Sequence, residues 1–596
     1  MLIGPAFSRE VAATSRSWRL YFVRALYVAA LFSLVATAWL ILTGSQQLRT
    51  LGELARFGAA SFALVAPVQL SLAVAFSALL SAAAVAQEKD RRTFELLLLT
   101  RMSNSELVLG KLLASMLTVL VLIVAGIPLL ALLTLLGGVS EGQVARELGV
   151  TLTAALVAGS LGSTIALWRE KTFQSLAVTV LALVLWLIAG EIVARGVLGD
   201  PVLNSPAVRL AEGISPARAI LAAARPGSVE LSAGSDLSFA RDSVRLFMVV
   251  SLAAAAALNL LSIACVRIWN PTRELRSASG PENSENLSPT ADGTSVHAAP
   301  GRARQVWDNP VLWREVCTWA YGRKLIIIRL AYLAVFVACA WGAWSTMAGD
   351  TLDRDDQPLP PSAQALVPLL ALGLVMVNAL AVTSLTNERD AKALDLLLVT
   401  DLTPKEIIFG KLGGVLFNSK EMIAAPLLLS AAMWWQGWLS GENLMLLVAS
   451  LLALTAFVAM LGIHVGMTYA NSRTAVAVSL GTLLFLLLGI AVCMRMMVAF
   501  QDDFNSQLQA FMAFMFGGGV GLYCALGARN PSNAITTASG LAPWATFYVI
   551  TSFLQGNYGA AAMVTVAMYA FATAALLVPA VYEFAVPPGR TTAKDA

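Results

Sequence analysis

The chain has 596 residues, of which 58% are hydrophobic and 13% are charged, and its mean hydropathy is +0.74. Soluble domains carry about 25% charged residues, so this composition excludes a soluble globular protein and predicts an all-α polytopic membrane protein. The net charge of +4 gives no indication of a nucleic-acid partner, and the five cysteines and two histidines show no spacing typical of a metal site. We expect the lipid bilayer as a partner, and no metal or cofactor.

Six apolar runs in the first 267 residues are long enough to cross a hydrocarbon core of about 30 Å. They cover roughly 20–42, 61–86, 107–136, 148–168, 174–194 and 246–267. The first run is long enough to stay as a transmembrane helix rather than be removed as a signal peptide. Lysine and arginine concentrate before the first run and after the second and fourth. This bias predicts a cytoplasmic N-terminus and a cytoplasmic loop at 88–111.

The composition changes at 268–308, which is rich in serine, proline, asparagine and glycine. We expect a disordered cytoplasmic linker there. A second membrane half follows at 309–585, and a C-terminal tail at 586–596. The apolar runs of the second half cover roughly 325–346, 365–386, 407–436, 443–469, 475–499 and 558–580. The total is about twelve transmembrane helices in two tandem six-helix halves.

One further segment of the second half, 507–528, is free of charge and long enough to span. Its cluster of glycines weakens it as a helix. By analogy with 200–225 in the first half, we expect a re-entrant or interfacial external helix. If the segment spanned alone, the C-terminus would move to the outside.

The stretch from Glu88 to Lys111 recurs three hundred residues later, from Glu388 to Lys411. Each copy lies between two apolar runs, which is typical of a membrane-surface element. We call residues 88–111 and 388–411 the signature loops. Nine of their 24 positions are identical at this shift: Glu88, Asp90, Leu96, Leu97, Leu98, Thr100, Glu106, Gly110 and Lys111.

Each signature loop contains the start of a helix. Ser103 and Glu106 have the spacing of a capping box, and Thr403 and Glu406 repeat it, with Pro404 at the first helical position. A helix is therefore predicted to start at 103 and at 403 and to enter the membrane. The segment just before it, about 93–100, has the amphipathic spacing of a helix that lies along the surface.

A second repeat, at a shift of 305 residues, begins each half. The segments GPAFSRE and NPVLWRE place Arg9 and Glu10 opposite Arg314 and Glu315, and a basic amphipathic stretch follows each. The alternative is an ordinary juxtamembrane basic segment held by anionic lipid. The matched spacing favours a shared architecture in the two halves.

The signature loops resemble the first cytoplasmic loop of ABC-2 type permeases, the membrane subunits of many ATP-binding cassette (ABC) exporters, and most closely the copper-enzyme-maturation and gliding-motility branch. The resemblance implies that Arg9, Glu10, Arg314 and Glu315 belong to interfacial elbow helices, and that the loops couple the permease to ABC ATPase subunits, two of them. The implied coupling positions are Glu88, Glu95, Leu97, Leu98, Thr100, Glu106, Gly110, Lys111, Glu388, Asp395, Leu397, Leu398, Thr400, Glu406, Gly410 and Lys411.

The sequence lacks a phosphate-binding loop. Gly110-Lys111 and Gly410-Lys411 resemble the end of one, but a glycine five positions earlier and a hydroxyl residue afterwards are both missing. We therefore expect no enzymatic activity in this chain and ATP hydrolysis on partner subunits.

Lys420 and Glu421 are charges inside an apolar run, and the first copy has Leu120 and Val121 there. Ionisable residues within a membrane are costly and usually functional, which predicts an intramembrane polar pair. The alternative is a helix break at Asn418-Ser419 that brings both charges near water.

These patterns together predict the fused permease of an ABC exporter in the inner (cytoplasmic) membrane. The alternatives are a membrane scaffold or assembly protein that keeps the fold and moves no substrate, and an ion-coupled secondary transporter. The inverted repeats of many secondary transporters would place equivalent loops on opposite sides, whereas both signature loops carry the same charge bias.

Overall fold

The structure is a computed structural model that describes residues 7, 18–45, 50–90, 93–169, 171–194, 207–225, 242–270, 306–317, 325–348, 361–499, 504–529 and 531–582. Every regular element in these ranges is a helix. Most of the predicted linker at 268–308, the tail at 586–596 and the first elbow residues, Arg9 and Glu10, lie outside the described residues.

The first half contains nine described helices. They are α1 (Trp18–Ser45), α2 (Leu51–Asp90), α3 (Thr93–Leu98), α4 (Asn104–Leu135), α5 (Glu141–Trp168), α6 (Thr172–Ala194), α7 (Ala207–Ile214), α8 (Pro216–Ala224) and α9 (Ser243–Trp269).

The second half contains eleven described helices. They are α10 (Pro310–Cys317), α11 (Leu325–Ala348), α12 (Pro361–Asp390), α13 (Ala393–Leu398), α14 (Pro404–Asn418), α15 (Lys420–Trp435), α16 (Gly441–Thr468), α17 (Ser472–Ala499), α18 (Phe504–Leu526), α19 (Asn533–Leu554) and α20 (Tyr558–Tyr582). Several helices repeat at a shift of 300 residues, and α5 and α16 do so at both ends.

Twelve of the described helices are long and apolar enough to cross a membrane. The protein is thus a multi-pass, all-α membrane protein, as the composition predicts. The set includes part of α18, from Leu508 to Leu526. The third span of the second half is instead a pair, α14 and α15, bent by 52°. The bend lies at Ser419, whose backbone leaves the helical conformation.

Small residues bring α2 and α5 into close contact in the first half. The Ser77 hydroxyl donates to the Ala155 carbonyl at 2.6 Å. A Cβ added to Gly162 would lie 2.4 Å from the Ala78 carbonyl oxygen, so the two backbones approach too closely for a larger residue. Close backbone approach is the main source of helix association in lipid, where apolar burial adds little.

The two halves pack against each other through equivalent helices. Helix α6 of the first half contacts α11 and α12, α17 of the second half contacts α2, and α1 contacts α18. Two large apolar clusters continue across this boundary. One joins Leu181 of α6 to Leu369 of α12, and the other joins Leu31 of α1 to Cys493 of α17 and Phe511 of α18.

Both signature loops start on one face of this bundle. Gln87, near the end of α2, donates to the side chain of Asn471 at 3.0 Å. Arg389, near the end of α12, donates to the hydroxyl of Ser472 at 3.3 Å. Because both helix ends reach the same turn between α16 and α17, the two loops share a side, which we call the signature face.

The extra helices of the two halves reach different depths. In the first half, α7 has eight residues, about 12 Å, and its end at Ile214 accepts a hydrogen bond from Trp186 within α6. In the second half, α18 has 23 residues, about 35 Å. Its end reaches the signature face, where the Tyr469 hydroxyl donates to the Ala525 carbonyl at 2.9 Å.

The prediction of a re-entrant or interfacial external helix at 507–528 is therefore wrong. Its four glycines do not break α18, because packing against α1, α17 and α19 supports the helix. Helix α19 runs back beside α18, and α20 then returns to the signature face, where Lys405 lies 5.6 Å from the Tyr582 ring centroid. The return of α19 keeps the end of α20 on the side of the signature loops.

Candidate functional site on the signature face

Each signature loop folds as a short surface helix, a turn and a capped membrane helix. The Ser103 hydroxyl accepts from the Glu106 amide at 3.3 Å, and the Glu106 carboxylate accepts from the Ser103 amide at 3.0 Å. Thr403 and Glu406 form the same pair of bonds at 3.3 and 2.8 Å. Both predicted capping boxes are confirmed.

Threonine ends the short helix in each copy. The hydroxyls of Thr100 and Thr400 each donate to a carbonyl three residues back, at 2.6 Å, from Leu97 and Leu397 respectively. These bonds occupy carbonyls that the helix would otherwise leave without a partner. The identical threonines therefore define where α3 and α13 end and the turn begins.

A buried ion pair ties the two ends of the first loop together. Lys111 of α4 is bonded to the carboxylate of Glu88 at the end of α2, and the lysine is buried. The pairing explains why both residues recur at a shift of 300. It also connects α2 directly to α4 behind α3.

The second loop contains the same ion pair within a larger network. The Lys411 ammonium lies 2.6 Å from Glu388 and 2.6 Å from Glu315, and it is 1% exposed. Arg314 is bonded to Glu388 as well. The elbow residues Arg314 and Glu315, predicted from the shift of 305, thus join the signature loop at Lys411. The equivalent contribution of Arg9 and Glu10 lies outside the described residues.

The recurring glycine makes room for the elbow helix α10. A Cβ added to Gly410 would lie 2.7 Å from the Cβ of Val311, and one added to Gly414 would lie 2.5 Å from the Cβ of Glu315. Larger residues at these positions would push α10 away from α14. In the first half, Phe7 lies beside Gly110, and a Cβ added to that glycine would lie 3.8 Å from the Phe7 backbone nitrogen.

The basic residues that follow the two glutamates have a role that the sequence analysis missed. Lys89 donates to the carbonyls of Leu167 and Arg169 at the end of α5, the second at 2.9 Å. Arg389 donates to the Gly466 carbonyl near the end of α16 at 3.0 Å. Cations at helix C-termini satisfy free carbonyls and the helix dipole. The recurrence of a basic residue at both positions was the available signal.

The apolar surface of the loops is not the one that the sequence predicts. Leu98 and Leu397 are buried in the core and Leu97 packs against it, because α3 turns Phe94 and Leu98 inward and α13 turns Leu394 and Leu397 inward. The side chains of Asp395 and Leu398 lie outside the described residues.

The exposed apolar residues are the neighbouring ones in both copies. They are Leu96, Leu99, Leu396 and Val399, and each is between 65% and 86% exposed. Glu95 is exposed beside them. Each signature loop thus presents an apolar pair, Leu96 with Leu99 and Leu396 with Val399, on a base fixed by the buried ion pair.

Lys420 and Glu421 follow the helix-break alternative. The chain bends at Ser419, and Glu421 forms an ion pair with Arg329 of α11 at 3.3 Å. Lys420 is exposed, and its ammonium lies 4.3 Å from the ring centroid of Phe417. The described partners of both residues belong to the second half, so this pair serves to hold the bend together.

Two buried groups near this face are structural. His464 is hydrogen-bonded to the Leu526 carbonyl at 3.1 Å and thereby joins α16 to the end of α18. Burial raises the pKa of Tyr469, which keeps its hydroxyl protonated as a donor to α18. The described residues contain no cluster of histidine, cysteine, aspartate or glutamate that could hold a metal ion.

No protein-family model, curated protein or solved structure matches this chain.

Proposed function

We propose that this protein is the membrane permease of an ABC exporter, with two ABC-2 type halves in one chain and with separate ABC ATPase subunits, two of them, bound at the signature face. The observation that carries the proposal is the pair of signature loops on one face of the bundle. Both loops present an exposed apolar pair at equivalent positions. Two equivalent docking elements on one side fit a dimeric partner better than any single ligand.

The loops are built to transmit force. Each short helix is joined to two membrane helices at once, because the lysine and glutamate at its two ends form a buried ion pair. The second loop adds the elbow helix to the same network. A displacement of α13 by a partner would therefore move α12, α14 and α10 together. In the proposed mechanism, ATP binding draws the two loops together and changes the packing between the halves.

The proposal places the signature face and the N-terminus in the cytoplasm, with the protein in the inner membrane. ATP hydrolysis belongs to the partner subunits, since the sequence contains no phosphate-binding loop. The lysines that resemble part of such a loop, Lys111 and Lys411, are buried in ion pairs. This chain itself is not an enzyme in this proposal.

A membrane scaffold that moves no substrate is the second candidate. It is favoured by the apolar clusters that continue across the boundary between the halves. Such packing would suit a protein with one resting state. The shared side of the two signature loops weighs against an ion-coupled transporter with inverted repeats.

The docking surface is tested by Leu96→Asp and Leu396→Asp, singly and combined. Both leucines are already exposed, so the permease should fold and insert normally. A charge without a partner in an apolar interface costs several kcal/mol, so each variant should weaken ATPase binding by about tenfold or more. The measurement is co-purification with the ABC ATPase encoded beside the permease gene.

Leu51→Asp is the matched control. Leu51 is as exposed as Val399 but lies at the start of α2, at the opposite end of that helix from its signature loop. It should retain the ATPase at the wild-type level. If the double variant also retains it, the loops are not docking elements and the scaffold interpretation becomes the better one.

A further inference from the structure

A buried acid without a complete set of partners lies in the first half, away from the signature face. Glu147 is in the second turn of α5, and its exposure is 0%. The Thr151 hydroxyl donates to one carboxylate oxygen at 3.0 Å. The other oxygen, Oε2, has no hydrogen-bond partner among the described residues.

A buried amide in α2 is also without partners. Gln69 has an exposure of 0%, and neither Nε2 nor Oε1 has a hydrogen-bond partner within the described part of the chain. Its side chain points across α4, because a Cβ added to Gly126 would lie 3.2 Å from Gln69 Oε1. Buried polar groups are normally hydrogen-bonded, so two such groups in one half require an explanation.

The helix register places these groups at one depth. Helices α2 and α5 run in the same direction and touch at Ser77 and Ala155. Eight residues back along each helix stand Gln69 and Glu147, so the acid and the amide are level. Tyr27 of α1 is also close enough to Glu147 to interact with its charge. Four helices thus bring polar or small residues to one level inside the bundle.

The second half has no counterpart of this cluster. The residues at a shift of 300 from Gln69, Gly126, Glu147 and Thr151 are Leu369, Pro426, Leu447 and Leu451. The polar cluster therefore cannot be a requirement of the shared fold. It is a single feature of the first half.

The chemistry of the site favours a neutral acid. An ionised carboxylate buried without a cation carries a large desolvation cost, and the usual outcome is a neutral group. The basic residues on the helices packed against Glu147 are engaged elsewhere: Arg146 with Asp242 at 2.6 Å, Arg218 with Glu191 at 2.6 Å, and Arg225 with Glu212 at 3.1 Å. Thr151 and Tyr27 carry no charge that could stabilise the carboxylate.

We propose that Glu147 is a proton-binding site of the first half, which holds a proton while α1, α2, α4 and α5 are packed as in this structure and releases it when they separate and admit water. On release, the carboxyl O–H bond breaks and the proton passes to water, leaving a hydrated carboxylate. The site would link the packing of the first half to the proton concentration on the side from which water enters. Its protonation can be measured without any ATPase.

The protonation state is read directly by infrared spectroscopy of the full-length protein in lipid nanodiscs at pH 7. A protonated carboxyl has a carbonyl-stretch band that a carboxylate lacks. Wild type should show this band, and Glu147→Gln should lose it. Glu141→Gln, which removes an exposed acid at the start of the same helix, should keep it. If the spectrum of Glu147→Gln equals that of wild type in this region, Glu147 is ionised and the proposal is overturned.

Glu147→Asp keeps the result decisive if the glutamine variant does not fold. It retains an acid, so the band should shift in frequency rather than disappear. An unshifted band in this variant would show that the band belongs to another acid and would overturn the assignment.

The release of the proton is read from the pH dependence of unfolding. The packed state holds one proton that the unfolded chain gives up above the ordinary glutamate pKa of about 4.3. The unfolding equilibrium constant of wild type, divided by that of Glu147→Gln, should therefore rise with pH between 5 and 8, by at most about tenfold per pH unit. A ratio that stays constant over this range would mean that no proton is released, and the proposal would fail.

Discussion

The buried network around Lys411 gives the sharpest test of how the signature loops are held. Lys411→Met keeps the length and the apolar part of the side chain but removes the charge that lies between Glu388 and Glu315. Two carboxylates, one of them fully buried, would then face each other with Arg314 as the remaining described cation.

The expected cost follows from the burial of the partners. Removing one member of a buried ion pair costs about 3–5 kcal/mol, because the other charge stays buried without compensation. At about 1.4 kcal/mol per factor of ten, the unfolding equilibrium constant should rise at least about a hundredfold. The measurement is denaturant unfolding of the full-length protein in mixed micelles. Lys405→Met is the control, because Lys405 is exposed in the same helix.

A combined variant separates the loss of charge from the change of shape. In Lys411→Met with Glu388→Gln and Glu315→Gln, the carboxylates are neutral and most of the lost stability should return, since whole buried ion pairs can be replaced at little cost. If Lys411→Met behaves like Lys405→Met, or if neutralising both acids restores nothing, the buried charges do not hold the loop and the reasoning is refuted.

Two further predictions concern the elbow helix and the extra helices of the second half. Gly414→Leu should displace α10 and destabilise the protein by about 1–3 kcal/mol in thermal unfolding, because even a Cβ would lie 2.5 Å from Glu315. Gly489→Leu, where nothing lies within 4 Å, should have little effect, and equal losses would contradict the packing. Cysteines at the exposed positions Thr100, Thr400 and Ala528 should react with an impermeant maleimide from one side of the membrane, and a cysteine at Asn557 from the other. Reaction of 528 and 557 from the same side would refute the crossing of α18 and α19.

The sequence by itself determined which parts of the chain enter the membrane. A hydrocarbon core demands long apolar runs whatever their neighbours are, and the runs that the sequence marks correspond to helices α1, α2, α4 and so on through α20. The capping boxes at Ser103 and Thr403 were also readable, because a cap joins residues three positions apart. The repeat at 300 residues identified Glu88, Lys111 and their counterparts before any contact was known.

Only the tertiary structure decided which face of each signature loop is free. Leucines fill positions 96–98 in both copies, and sequence alone favoured Leu97 and Leu98 as the outer surface. The fold turns Leu98 and Leu397 into the core because α3 and α13 lie against neighbouring helices, which leaves Leu96 and Leu396 outside. The side on which a short helix packs depends on those neighbours, and its own six residues do not specify it.

The depth of the extra helices and the cluster at Glu147 have the same origin. The length of α18 was visible in the sequence, but its contact with Tyr469 depends on a turn that is distant along the chain. Glu147 and Gln69 are 78 residues apart, and they become level because α2 and α5 pack in parallel. Long-range register is set by the close approach of small residues such as Gly162 and Ala78, and it emerges only when the helices are assembled.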